Sequence, residues 1–106
     1  MNDISARLAE IGTNVNTAVD AVQNDAAASP VLVAVVREFD AKLAKAEKQV
    51  GNGDTPSAGV REAVVEAEQA ADSAKVAAEA DAGASPQARQ AVLDAHFSIC
   101  VLKAGL

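Results

Sequence analysis

Residues 30–50 read PVLVAVVREFDAKLAKAEKQV, and this stretch decides the fold class. Apolar side chains recur in it at alternating steps of four and three residues, at Leu32, Val36, Phe39, Leu43, Ala46 and Val50. Such steps return to the same side of an α-helix, because a helix has 3.6 residues per turn. The stretch therefore predicts an amphipathic helix with one buried stripe. A helix of this length cannot bury that stripe alone, so other helices must cover it.

Three other segments carry the same spacing of apolar residues. Their stripes are Ile4, Leu8, Ile11, Val15, Ala18 and Val22; Val60, Val64, Ala67, Ala71, Ala74 and Ala78; and Ala88, Val92, Ala95, Ile99, Leu102 and Leu106. Four stripes of equal length predict helices that meet along one seam. We therefore expect an all-α fold: an antiparallel up-down-up-down four-helix bundle with an alanine-rich core, formed by residues 1–106 as a single domain.

Hydroxyl residues followed by proline mark the predicted helix starts, at Ser29-Pro30, Thr55-Pro56 and Ser85-Pro86. A serine or threonine hydroxyl can cap free backbone N–H groups, and proline suits the first helical position. We expect helices over residues 3–27, 30–50, 56–82 and 86–104, with Gly51 and Gly83 as left-handed residues after two of them. The spacing of the pairs hints at a duplicated hairpin, but the segments share too few identities to establish a repeat.

Two positions leave the helix boundaries open. The polar run from Gly12 to Thr17 contains weak helix formers, which could kink or break the first helix. The apolar spacing continues through Val15, however, and this favours a continuous helix whose polar residues face water. Gly59 could move the start of the third helix one turn later.

The composition predicts a thin core and excludes some partners. The chain has 106 residues, 26 alanines and a net charge of −6. Alanine favours helices but buries only one methyl group. The chain has no Trp or Tyr, and its two phenylalanines offer little surface for stacking a base or a flat cofactor. An acidic surface also repels phosphate backbones. We therefore predict no cofactor and no nucleic-acid partner.

Targeting signals are weak in this sequence. Its first residues lack the basic head and apolar run of a secretory signal, and no segment has the roughly 18 unbroken apolar residues of a membrane span. The single cysteine, Cys100, has no partner for an internal disulfide. We expect a cytoplasmic protein without a transmembrane segment. Signal-independent export and binding to a peripheral lipid or granule surface remain open.

His96 and Cys100 are the residues best suited to chemistry. They are four residues apart on the last predicted helix, a spacing that can hold a soft divalent metal. Two ligands do not complete a site, and the nearest acidic residue in sequence, Asp94, points to a different face. A full site would need acidic residues from another helix or a second chain. We interpret His96 and Cys100 as partly buried packing residues, and we predict no metal site and no catalytic residue.

A small helical bundle with a single histidine resembles the histidine phosphotransfer domains in those respects. Those domains usually carry a lysine and a glycine three and four residues after the reactive histidine, where this chain has Ile99 and Cys100. Their chain also normally continues with further helices beyond that histidine. The resemblance implies a phosphocarrier that uses His96, and we rank this function last.

Apolar residues outside the stripes point to an interaction surface. These residues are Val31, Val33, Val35, Leu93, Phe97, Cys100 and Val101. A helix that is apolar on nearly all sides is either central in its fold or covered by something else. We therefore predict a non-enzymatic protein that acts through helix–helix contacts with another helical protein or, by self-association, as a homodimer or larger homo-oligomer. Lopsided packing could instead bury these residues within one chain, and a coat or adaptor protein with amphipathic helices is the alternative function.

Overall fold

The computed structural model describes residues 4–50 and 58–105. They form four α-helices, α1 (Ile4–Gln23), α2 (Pro30–Val50), α3 (Ala58–Ala80) and α4 (Pro86–Ala104). Each helix packs against the next one along the chain, and α4 packs against α1. The protein is therefore an up-down four-helix bundle, and the predicted fold class is confirmed.

The core follows the predicted stripes. Every stripe position within the described residues is buried, and Leu106 lies outside them. Three further alanines join the core, Ala63, Ala70 and Ala84. The eight buried positions of α3 are two valines and six alanines, whereas α2 contributes Phe39 and two leucines. Most of the core volume therefore comes from the other three helices. The distance between two helices depends on the side chains at their contact.

The polar run does not interrupt α1. The hydroxyls of Thr13 and Thr17 donate to carbonyl oxygens four residues earlier, at 3.2 and 3.0 Å. Asn14 Nδ2 donates to Ser98 Oγ of α4 at 3.0 Å. These side chains bond to their own helix or to its neighbour, and the continuous helix is confirmed. Gly59 is helical within α3 and does not delay its start to a later turn.

Serine caps begin α2 and α4 as predicted. Ser29 Oγ accepts a hydrogen bond from Leu32 N at 3.2 Å, and Ser85 Oγ accepts one from Ala88 N at 3.1 Å. Each of these bonds satisfies one of the backbone N–H groups that a helix start leaves unpaired. The prolines that follow both serines are the first residues of their helices.

Two helices end earlier than predicted: α1 at residue 23 instead of 27, and α3 at residue 80 instead of 82. In both linkers an aspartate binds a backbone amide two residues later. Asp25 Oδ1 accepts from Ala27 N at 3.0 Å, and Asp81 Oδ1 accepts from Gly83 N at 3.1 Å. Such local bonds compete with helical ones, so the chain leaves the helix although the next residues favour helix.

The prediction for Gly83 is wrong. No glycine within the described ranges has a positive φ, so Gly83 is not a left-handed residue. It is instead a point of close approach, because a Cβ there would lie 2.6 Å from the carbonyl oxygen of Ala27. The predictions for Gly51 and for Thr55-Pro56 fall outside the described residues.

The two linkers hold each other together. The α1–α2 linker ends with Asp-Ala-Ala-Ala-Ser-Pro at residues 25–30, and the α3–α4 linker contains Asp-Ala-Gly-Ala-Ser-Pro at residues 81–86. Each aspartate accepts a hydrogen bond from the capping serine of the other linker. Asp25 Oδ2 lies 2.7 Å from Ser85 N, and Asp81 Oδ2 lies 2.8 Å from Ser29 N. We call this reciprocal pair of bonds the linker latch.

The latch belongs to an internal structural repeat. The two aspartates are 56 residues apart (81 − 25), and the same offset maps every stripe position of α1 and α2 onto a stripe position of α3 or α4. The hairpin of α3 and α4 therefore repeats the hairpin of α1 and α2. The bundle is two related hairpins joined at one end by the linker latch.

The linker latch lowers the pKa of both aspartates. For Asp25 the largest cause is the hydrogen bond from the backbone of Ser85, and for Asp81 it is the bond from the backbone of Ser29. Each carboxylate uses both oxygens, one within its own linker and one across the latch. A group whose pKa is lowered by folding stabilises the fold above its unfolded-state pKa, and this contribution is lost as the pH falls through the folded value.

We expect Asp25→Asn to reduce the free energy of unfolding at pH 7, because an amide offers one accepting oxygen where the carboxylate uses two. The loss should shrink as the pH falls below about 4, because the carboxylate of the unfolded chain is protonated first and that of the folded protein only at a lower pH. Urea unfolding followed by circular dichroism at pH 7 and at pH 3 measures the difference. Asp20→Asn, a change of the same kind at an exposed position of α1, is the control. An equal loss at both pH values would contradict the role of the charge.

Candidate functional site

One candidate site is an exposed apolar patch on α4. Phe97 is 68% exposed and Val101 is 44% exposed. The two residues are one helical turn apart, and together with Arg7 and Glu10 of α1 they line a shallow cleft of about 180 Å³. We call these four residues the α4 patch. It brings an exposed aromatic ring into the same cleft as one positive and one negative side chain.

The other predicted interaction residues are not all on this surface. Val31 is 65% exposed at the start of α2. Val33 and Val35 are partly buried and pack against the core, so their own chain covers part of each of them. Leu93 and Cys100 are partly buried on α4. The structure brings Phe97 and Val101 together and leaves Val31 on another helix.

The sequence interpretation missed one exposed valine. Val76 of α3 is 64% exposed, about as much as Val31. The sequence did contain this signal, because Val76 lies outside the α3 stripe in a helix whose other exposed positions are polar residues, alanine or glycine.

A second candidate site lies between α3 and α4. Glu68 and Asp72 are four residues apart on α3, and His96 and Cys100 are four residues apart on α4, so each pair projects from one helix face. The antiparallel packing places Asp72 beside His96 and Glu68 beside Cys100. We call these four residues the α3–α4 cluster. The acidic residues that a complete site would need from another helix therefore lie on α3.

The polar atoms of the cluster are close together. His96 Nε2 lies 2.7 Å from Asp72 Oδ1, and it must donate a proton there because an ionised carboxylate only accepts. Cys100 Sγ lies 3.5 Å from the same nitrogen and 3.8 Å from Glu68 Oε2. The ligand atoms of Asp72, His96 and Cys100 all lie within 4.8 Å of one another. Lys103 Nζ lies 3.4 Å from Glu68 Oε1 at the edge of the cluster.

The surroundings keep the thiol of Cys100 protonated. Burial raises its pKa, and the negative charges of Glu68 and Asp72 raise it further. A cysteine nucleophile needs a lowered pKa, since the thiolate is the reactive form. The cluster therefore does not activate Cys100 for covalent catalysis.

Asp94 lies away from the cluster, as the helix periodicity predicts. Its Oδ1 accepts a hydrogen bond from Gln90 Nε2 at 2.8 Å, and its side chain lines a cleft with Asn14 and Thr17 of α1. It therefore provides a carboxylate on the same helix that does not contribute to the cluster.

Comparison with known proteins does not identify the chain. No protein-family model, curated protein or solved structure matches it. Over the part of the chain that the structure describes, no helix is both long enough and apolar enough to cross a membrane. Function must therefore be inferred from the α4 patch and the α3–α4 cluster.

Proposed function

We propose that the protein is a non-enzymatic interaction module that self-associates through the α4 patch. The exposure of Phe97 is the observation that supports this proposal most directly. Covering an apolar side chain is favourable by about 25 cal/mol for each Å² removed from water. Aromatic side chains are also enriched at the energetically important centres of interfaces. An exposed phenylalanine beside an exposed valine is thus suited to contact with another helix.

The charges around Phe97 favour a second copy of this chain as the partner. Arg7 and Glu10 carry opposite charges and flank the same cleft. A two-fold dimer brings the same patch of both copies together, so Arg7 of one copy can approach Glu10 of the other. The α4 patch is therefore able to complement itself in charge.

Net charge gives this dimer a characteristic salt dependence. Each chain carries a charge of −6, so two copies repel each other at low ionic strength. Added salt screens that repulsion and leaves apolar contacts intact. It also screens the attraction between Arg7 and Glu10, but exposed ion pairs contribute less than about 1 kcal/mol. Self-association should therefore strengthen as salt rises, whereas a complex with a basic partner held by ion pairs should weaken.

Phe97→Asp is the variant that tests the interface. We expect the wild-type protein to elute as a dimer at high protein concentration, with twice the single-chain mass of 10.7 kDa. We expect Phe97→Asp to weaken the dimer by at least about 30-fold, because an interface centre contributes about 2 kcal/mol or more and a buried unpaired charge adds to the loss. Size-exclusion chromatography with light scattering over a dilution series measures both proteins.

Val31→Asp is the matched control, since Val31 is exposed to a similar degree on α2. It should leave the dimer intact. A wild-type protein that stays monomeric at every concentration would overturn the proposal, and so would a dimer that Val31→Asp disrupts and Phe97→Asp does not. Circular dichroism of each variant shows whether the fold is retained.

The alternative functions have less support. A coat or adaptor protein would have to turn its apolar stripes outward, and within residues 4–50 and 58–105 these stripes are buried in one core. Co-sedimentation with phosphatidylcholine vesicles, with and without anionic lipid, tests this alternative. A phosphocarrier needs an accessible imidazole, but the side chain of His96 is 17% exposed and its Nε2 contacts Asp72.

A further inference from the structure

We propose that the α3–α4 cluster is a binding site for a divalent metal ion, with Zn²⁺ as the best-fitting ion. Asp72, His96 and Cys100 would be three ligands and Glu68 the fourth. Zn²⁺ usually takes four ligands, and it binds cysteine sulfur, histidine nitrogen and carboxylate oxygen. A mixed site of Cys, His and carboxylate groups therefore suits it. Metal sites in helical bundles are built in this way, from side chains on facing helices.

Two of the observed distances are close to those of a tetrahedral zinc site. With typical zinc–ligand bonds, ligand atoms lie about 3.5 Å apart for nitrogen and sulfur, and about 3.4 Å apart for nitrogen and oxygen. Cys100 Sγ and His96 Nε2 are already 3.5 Å apart, and Cys100 Sγ and Glu68 Oε2 are 3.8 Å apart. The 2.7 Å bond between His96 and Asp72 must lengthen when the ion binds. Asp72 is exposed, so its side chain can move to accommodate an ion.

The four donor residues are not required by the fold. The structural repeat places Gly12, Asn16, Asp40 and Ala44 at the corresponding positions of the first hairpin, 56 residues earlier. That set contains one carboxylate, no imidazole and no thiol. The first hairpin packs with the same buried stripe positions, so helix packing does not explain why the second hairpin carries all four donors.

The charges of the cluster also suit a cation. Glu68 and Asp72 are two carboxylates beside a thiol, and Lys103 contacts only the outer oxygen of Glu68. When the ion binds, the proton of Cys100 Sγ passes to solvent and a bond between sulfur and metal forms. His96 moves its proton from Nε2 to Nδ1, so that the Nε2 lone pair can coordinate. Asp72 and Glu68 coordinate as carboxylates without losing a proton.

Cobalt provides a direct test with the full-length protein. Co²⁺ occupies zinc sites, and its thiolate complex absorbs in the near ultraviolet, where this chain has no Trp or Tyr to interfere. We expect one Co²⁺ per chain, a thiolate charge-transfer band, and displacement of Co²⁺ by added Zn²⁺. Titration calorimetry with Zn²⁺ gives the affinity.

Variants identify the ligands. We expect Cys100→Ser to abolish the charge-transfer band. We expect Asp72→Asn and His96→Gln each to weaken Zn²⁺ binding by about 100-fold or more. Loss of a residue that only orients a metal ligand weakens binding by up to about 100-fold, and loss of a ligand itself should cost at least as much. Lys103→Gln should strengthen binding, because it removes a cation that competes for Glu68. Asp94→Asn, on the other side of α4, is the control and should change nothing.

The outcomes separate a metal site from a structural hydrogen bond. A charge-transfer band lost in Cys100→Ser, together with unchanged binding in Asp94→Asn, supports the site. Absence of the band, or equal Zn²⁺ affinity in the wild type and in His96→Gln, overturns it. A ratio of one ion to two chains also overturns the site as assigned, since the ion would then lie between copies. Circular dichroism distinguishes a lost ligand from a lost fold.

Discussion

Phe39→Ala should lower the free energy of unfolding by about 3–5 kcal/mol, the usual loss when a buried phenylalanine is truncated. Phe39 is 1% exposed and is the largest side chain in a core that is otherwise made of aliphatic residues, many of them alanine. The many alanines of the core are too short to fill the space that the ring would leave, so the cavity should persist. Since small domains are stable by only about 5–15 kcal/mol, this variant should be near the limit of folding.

The second phenylalanine of the chain provides the matched control for this experiment. Phe97→Ala removes the same ring from a position that is 68% exposed, and it should change stability by less than about 0.5 kcal/mol where the chain is monomeric. Urea unfolding followed by far-ultraviolet circular dichroism suits a protein that lacks Trp and Tyr. Similar losses for both variants would contradict the assignment of Phe39 to the core.

Gly83→Ala should lower the free energy of unfolding by about 1–3 kcal/mol, the range typical of overpacking. The new Cβ would lie 2.6 Å from the carbonyl oxygen of Ala27, and this neighbour is backbone rather than a flexible side chain. The backbone there cannot move away freely, because Asp25 holds its linker to Ser85. Relief of the contact would therefore lengthen the bonds of the linker latch.

Gly12→Ala tests whether the loss is specific to the linkers. A Cβ at Gly12 would meet Glu47 Oε1 at 3.6 Å, an ordinary contact with a side chain. Alanine within a helix is more favourable than glycine by about 0.5–1 kcal/mol, so Gly12→Ala should stabilise the protein. The two substitutions should thus have opposite signs in the same thermal or urea unfolding assay. A neutral or stabilising Gly83→Ala would contradict the close approach of the linkers.

The helix stripes could be predicted because burial follows a period that the sequence shows directly. Each stripe position from Ile4 to Leu102 is buried, since one seam serves all four helices. The ends of α1 and α3 could not be predicted in the same way. They depend on Asp25 and Asp81, which bind an amide two residues later and also an amide of the other linker. Together these contacts outweigh the helix preference of the alanines beside them.

Only half of the α3–α4 cluster, the pair on α4, could be predicted from the sequence. The spacing of His96 and Cys100 places them on one face of α4, but the stripes do not fix how far each helix is rotated about its axis. Helix α3 carries several acidic residues, and the sequence therefore did not show which of them face His96 and Cys100.

The structural repeat was visible in part, since Asp-Ala-x-Ala-Ser-Pro occurs twice, but the two halves share few identical residues elsewhere. The repeat is clear in the buried positions rather than in the residue types.

The unequal side chains of α2 and α3 restrict sequence change in opposite directions. The buried positions of α3 are mostly alanine, so a larger residue there must push against a neighbouring helix, while a smaller one removes little. The buried positions of α2 hold Phe39 and two leucines, where a smaller residue opens a void. Across generations of mutation, α3 should therefore resist enlargement and α2 should resist trimming, and engineering of this scaffold should begin from its outward-facing positions instead.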